Sequence, residues 1–231
     1  MKTENAYCIT LGDMAEFITP GDKRFDPSQK AIADWVEPDN IAECQVEWVT
    51  KLLKPIKNKI IGMVFGNHEN NFRKYNYVNV HQNICDRLGV DNLGYSCFVR
   101  FFFRRENSNE THIIKGCFTH GSGWAITKGS KLNKLRQFMD NFEADIYGYG
   151  HMHDLITDTK PYMTITNQPF GKSGIKEREG VGATCGSWFR TYTQGITASY
   201  GETRVYPPTV IGCAVFTIDA HAGLVSVSPS R

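Results

Sequence analysis

Four short apolar runs in this 231-residue chain each stop at a glycine set beside polar side chains able to bind a metal, and this restricts the fold more than any other feature. Residues 6–11 run into Gly12-Asp13, and residues 59–65 run into Gly66-Asn67-His68-Glu69. The stretch 111–119 stops at His120-Gly121-Ser122-Gly123, and 144–149 stops at Gly150-His151-Met152-His153. Short apolar runs ended by turn residues read as buried strands. Buried strands separated by helical stretches give an α/β sheet. In open α/β sheets, ligands gather outside the carboxyl ends of the strands, so the four clusters are expected to meet in one crevice. The glycines let the backbone turn sharply and come close to whatever is bound there.

The segments between fill in an α/β pattern. Residues 19–39, with Pro20, Gly21, Pro27 and Pro38, read as loop. Asn40 followed by Glu43 is a capping box for a helix with Ile41, Cys44, Trp48 and Leu52 on its apolar face and Pro55 at its end. One polar, aromatic helical stretch spans roughly 70–88 and closes at Gly89. Residues 97–105 and 111–119 read as antiparallel strands joined by the polar turn 106–110. Leu132, Leu135, Met139 and Phe142 recur at helical spacing, and 215–218 with 224–227 form a closing hairpin. No repeat or linker interrupts the chain, so one domain over 1–231 is expected.

Composition narrows the function classes. Hydrophobic residues at 41% supply a core, while 26 basic against 24 acidic residues leave a net charge of only +2. That balance argues against a molecule-wide field for polyanions or membranes and leaves room for a local basic groove. No window approaches the roughly 20 apolar residues of a membrane helix, and residues 1–7 hold no signal-like run, so no membrane partner is expected. Seven cysteines (Cys8, Cys44, Cys85, Cys97, Cys117, Cys185, Cys213) without a C-x-x-C pair read as reduced core thiols of a cytoplasmic protein.

The polar clusters offer oxygen and imidazole nitrogen but no thiolate, a donor set that suits Mn²⁺, Fe or Zn²⁺ over a cysteine-based zinc knot. Each cluster has a plainer reading. Gly12-Asp13 is also a turn, Asn67 with Glu69 also a helix start, and His120 also a core histidine. His151 and His153 alternate, so strand pleating would point both the same way. His81, His112 and His221 lie away from the clusters and read as structural or surface residues.

The order Gly-Asp, Gly-Asn-His-Glu, His, Gly-His-x-His resembles the calcineurin-like metallophosphoesterase superfamily. That family's pattern runs Asp-x-His, Gly-Asp-x-x-Asp, Gly-Asn-His-Asp/Glu, His, Gly-His-x-His. The likeness spans residues 12–153, and Gly186-Ser187 is similar to the Gly-Ser turn that often follows. Tyr200-Gly-Glu with Tyr206-Pro-Pro is similar to a subgroup common in bacterial and phage genomes. The resemblance implies a four-layer α/β/β/α fold, a β-sandwich flanked by helices. It implies that Asp13 bridges two divalent ions, that Asn67, His120 and His151 complete one site, and that His153 belongs to the other. His68 would be the general acid, oriented by Glu69, and Arg73 would reach a phosphate oxygen or simply face solvent. Mn²⁺ leads, with Fe or Zn²⁺ as alternatives. Two such ions about 4 Å apart activate a hydroxide for in-line attack on phosphorus.

The chain departs from this pattern twice. Glu16 stands where the second motif ends in Asp, and no Asp-x-His precedes Asp13. The expectation is therefore an N-terminally truncated domain lacking its first strand, holding one ion where an intact homologue holds two, and less stable or associating as an oligomer to cover the exposed edge. The expected function is hydrolysis of a phosphodiester or phosphomonoester, with nucleic acid among the substrates. The alternative is a catalytically impaired one-metal binding or assembly module. Lys128, Lys131, Lys134 and Arg136 read as a basic flank or a solvated helix face, and Trp124 as a base-stacking ring or a core anchor.

Overall fold

A computed structural model describes residues 5–22, 24, 25, 32–165, 174–195 and 198–230. Parts of the expected loops, including Pro27, and the first four residues of the chain lie outside this set. The protein is mixed α/β and divides into two compact units, each considered by itself. The first comprises Met1–Cys97, Thr119–Ser122 and Thr191–Tyr206; the second comprises Phe98–Phe118, Gly123–Arg190 and Pro207–Arg231.

In the first unit, β1 (Cys8–Leu11) pairs in parallel with β2 (Ile60–Val64). A parallel pair sends both carboxyl ends the same way, which brings Gly12-Asp13 beside Gly66-Asn67. Helix α1 (Ile41–Leu53) follows a 3-10 turn at Pro38–Asn40, and Pro55 falls in a second 3-10 turn just after it. Two details correct the sequence reading. The Asn40 side chain makes no capping bond, and Glu43 pairs with Arg87 instead. The buried face is Ile41, Val46 and Val49, whereas Trp48 and Leu52 are exposed. Trp48 stacks on Trp35 at 4.8 Å, a surface ring contact that removes the need to bury it.

The stretch read as one helix over 70–88 is two, α2 (Asn67–Asn76) and α3 (Val80–Leu88). Tyr77 breaks the run with a left-handed φ of 56°, and the Asn79 side chain caps α3 by accepting from Gln82 N. Gly89, also left-handed, closes it as expected. Val46, Val49, Met63, Phe72, Ile84, Cys85 and Leu88 form the core of this unit. A short helix, α5 (Tyr200–Thr203), is capped by Ser199.

The second unit is built on a five-stranded mixed sheet in the order β3-β4-β5-β7-β6. Its strands are β3 (Ser96–Arg104), β4 (Thr111–Thr119), β5 (Ile146–Tyr149), β6 (Thr157–Ile165) and β7 (Ile175–Thr184). β5 runs parallel to β7, and β6 antiparallel to it. Helix α4 (Lys128–Asn141) starts at Thr127, whose hydroxyl accepts from Ser130 N, and buries Leu135 and Met139 against Cys117 and Tyr147. Full burial of such side chains stabilises by about 1.5–3 kcal/mol each. The expected basic flank does not form as a row. Lys131 is buried against Asp154, and Arg136 pairs with Asp158, because neighbouring acids on the next loop and strand claim them. Trp124 is 68% exposed, which removes the core-anchor reading. The closing hairpin is present as β8 (Cys213–Asp219) and β9 (Leu224–Ser230), with Asp219 accepting from His221 N and Ala222 N at its turn.

All seven cysteines are among the described residues, and none is in a disulfide. Among those residues no helix is long and apolar enough to cross a membrane.

Candidate metal centre

Three of the predicted clusters meet within the first unit, at the ends of β1, β2 and β4. Asp13 leaves β1 in a left-handed conformation, φ 51°, directly after Gly12 at φ 87°. A Cβ on Gly12 would strike Gly66 N and come within 2.7 Å of His120 Nδ1; one on Gly66 would strike Asp13 Oδ1. Both glycines are therefore required by close approach, with no side chain fitting between the two strand ends.

The donor atoms are pre-aimed. His120, 1% exposed, places Nδ1 2.6 Å from Leu11 O. A carbonyl can only accept, so Nδ1 carries a proton and Nε2 is left with its lone pair in the neutral ring. Nε2 then lies 3.0 Å from Asn67 Oδ1 and 3.2 Å from Asp13 Oδ2. The imidazole nitrogen thus has two oxygen acceptors at close range. Ligands about 2.1 Å from a common ion and at right angles around it sit about 3.0 Å apart, and both spacings from His120 Nε2 are compatible with that arrangement. Oxygen and imidazole donors of this kind suit a divalent ion without selecting one. Burial pushes the His120 pKa down, but the Asp13 carboxylate and the Leu11 carbonyl outweigh it and the net shift is upward. For Asp13, burial pushes upward, but His120 and His68 prevail and hold the carboxyl at about 2.

His68 stands on the same rim. Its backbone N–H donates to Asp13 Oδ1 at 3.0 Å, and its Nε2 is 3.9 Å from Asp13 Oδ2. Its Nδ1 lies 3.1 Å from Glu16 O and 3.2 Å from Glu16 Oε2. Burial lowers the imidazole pKa, but Glu16 and Asp13 raise it further, to about 9. The ring is thus proton-loaded at neutral pH. Glu16, noted in the sequence only as a departure from the motif, is the group that orients it. The available signal was its place three residues after Asp13, on the same turn. Glu69 holds the backbone instead. Its carboxylate, 2% exposed, accepts from Asp13 N (3.1 Å), Gly66 N (2.9 Å) and Met14 N (2.7 Å). It fastens the β1 turn to the β2 turn. Arg73 donates to Asn70 Oδ1 and lies over the Phe65 ring at 5.9 Å, on α2.

His151 and His153 belong to the second unit, on the turn after β5. Both are left-handed, at φ 64° and 51°. Such backbone costs about 1–2 kcal/mol per non-glycine residue and gathers at functional sites. Of the seven non-glycine residues with positive φ among those described, three are predicted ligands: Asp13, His151 and His153. The turn is held by its neighbour Asp154, whose carboxylate meets buried Lys131 Nζ at 3.3 Å and whose carbonyl accepts from Thr184 Oγ1 at 2.6 Å.

No protein-family model matches the chain, and no curated protein or solved structure matches it.

Proposed function

We propose that this protein is a divalent-metal-dependent phosphoesterase of the calcineurin-like type, with the four-layer α/β/β/α arrangement its motifs imply. The carrying observation is the approach of Asn67 Oδ1 and Asp13 Oδ2 to His120 Nε2, at 3.0 Å and 3.2 Å, beside a His68 whose pKa is raised to about 9. Asp13, Asn67 and His120 would hold the ion, and the reading keeps His151 and His153 as the further imidazole ligands that the resemblance implies. A bound divalent ion would polarise the phosphoryl group and supply a nucleophile near neutral pH.

The chain's own groups do the rest. Glu16 holds His68 Nδ1, which leaves the Nε2 proton directed to the Asp13 side, where it can pass to the departing ester oxygen. Glu69 keeps Asp13 in place. The substrate is a phosphodiester or phosphomonoester, and the reading sets the protein in the cytoplasm.

Isothermal titration with Mn²⁺, paired with hydrolysis of bis- and mono-p-nitrophenyl phosphate, tests this. Wild type is expected to bind and turn over, Asp13→Asn to lose binding, and His68→Ala to bind but lose about 10²–10⁴-fold in rate. Binding without turnover in wild type would identify the one-metal binding module; absence of binding would remove both readings.

A further inference from the structure

Helix α4 covers one face of the five-stranded sheet through Cys117 and Tyr147 and leaves the outer part of that face, on β3 and β4, in solvent. Strand β3 is the edge of the sheet and alternates strictly, exposing Phe98, Arg100, Phe102 and Arg104. β4 exposes Thr111, Ile113 and Lys115. The register follows from two contacts at opposite ends, Arg105 N to Glu110 O at 3.1 Å and Ser96 Oγ to Thr119 Oγ1 at 2.7 Å. It sets Phe102 beside Ile113 and Arg100 beside Lys115. Phe98 and Phe102 are 65% and 63% exposed, and the Phe142 ring meets Phe98 edge-on at 5.4 Å.

Same-face residues on a strand repeat every ~6.8 Å, so the two rings stand about 13–14 Å apart with the Arg100 guanidinium between them and Arg104 beyond. Lys115 is held by Glu143 at 2.8 Å, which leaves the two arginines as the charge of this surface. A second copy of the chain docking here about a two-fold axis would set this basic row against itself, and like charges placed opposite one another destabilise a pairing. A partner suited to the face carries flat π surfaces along an anionic backbone, which describes a single-stranded nucleic acid. In a duplex the base faces are already stacked on one another and cannot reach the rings.

We propose that the β3–β4 face is a binding platform for single-stranded nucleic acid, on which bases stack against Phe98 and Phe102 and phosphates pair with Arg100 and Arg104. This stands independently of the phosphoesterase reading. Fluorescence anisotropy of the full chain in EDTA, with labelled oligo-dT and oligo-U of about twelve nucleotides and the matching duplex, tests it. Saturable single-strand binding that weakens as salt rises is expected, with the duplex at least about tenfold weaker. Phe102→Ala should weaken binding about 5–100-fold and Phe102→Trp should retain it. Arg100→Gln should flatten the salt dependence by about one unit of slope. The absence of saturable single-strand binding overturns the proposal, as does equal binding by Phe102→Ala when its circular dichroism melt matches wild type. So does finding that Phe102→Ala abolishes binding to anionic vesicles, or self-association in sedimentation, while oligonucleotide binding is unchanged.

Discussion

Replacing Glu69 with alanine should unfasten the candidate site from beneath. The carboxylate is buried and accepts three backbone N–H groups, from Asp13, Met14 and Gly66, so Glu69→Ala leaves three donors without their acceptor. Bonds to a charged acceptor contribute about 1.5–3 kcal/mol each, but Asp13 and Met14 lie on a part-buried turn that water can enter, so the sum falls short of three full bonds. A net loss of about 3–5 kcal/mol follows, in the range for breaking a buried charged interaction. At about 2–4 °C per kcal/mol for a chain of this size, the melting temperature should fall by about 6–20 °C. Glu69→Gln, which keeps one acceptor oxygen, should lose about half as much. Asp13 should also lose its fixed position, so Mn²⁺ affinity measured by titration well below the melt should weaken at least about tenfold, as for loss of a group that orients a ligand. Calorimetry showing Glu69→Ala within about 2 °C of wild type, with unchanged Mn²⁺ affinity, would refute the clasp.

Three further outcomes are expected. Gly66→Ala should abolish Mn²⁺ binding and lower the melting temperature, since its Cβ would collide with Asp13 Oδ1; a variant binding like wild type would show that the two turns need not touch. Lys131→Met should destabilise by about 3–5 kcal/mol by leaving Asp154 buried and unpaired, and the double variant with Asp154→Leu should recover much of this in denaturant titrations; purely additive losses would exclude the coupling. In EDTA, His68 with its pKa raised from 6.5 to about 9 contributes stability fully present below about pH 6.5 and lost as pH rises through 9. Asp13, lowered from 3.8 to about 2, contributes stability present above about pH 3.8 and lost as pH falls through 2. The melting temperature of the chelated protein should therefore peak between about pH 4 and 6.5, and a flat profile from pH 6.5 to 9 would contradict the His68 environment.

Much of this was legible in the sequence because strand ends announce themselves. Apolar runs of six or seven residues stopped by glycine gave β1, β2 and β5 within a residue or two, and the polar turn at 106–110 between two β-like stretches gave β3 and β4. What could not be read was partner choice. Trp48 looked like a core residue until Trp35 supplied a ring outside the core, and Lys131 looked solvated until Asp154 drew it inside. Asn40 and Glu43 had the capping pattern, but Arg87, distant in sequence, took the glutamate. At the candidate site, residue type and spacing picked out Asp13, Asn67 and His120, which do lie together, whereas the division of labour between the two glutamates was not legible. Glu69 lies next to His68 in sequence yet turns inward to the backbone, while Glu16, fifty-two residues away, meets the imidazole.

On the proposed metal-site reading, the left-handed backbone at Asp13, His151 and His153 sets thermal robustness and chemistry against each other at three addresses. Glycine at any of them would relax the chain and delete a donor in the same step. A library of variants screened for heat resistance alone would therefore drift toward inert proteins, and any such campaign must score metal uptake alongside melting.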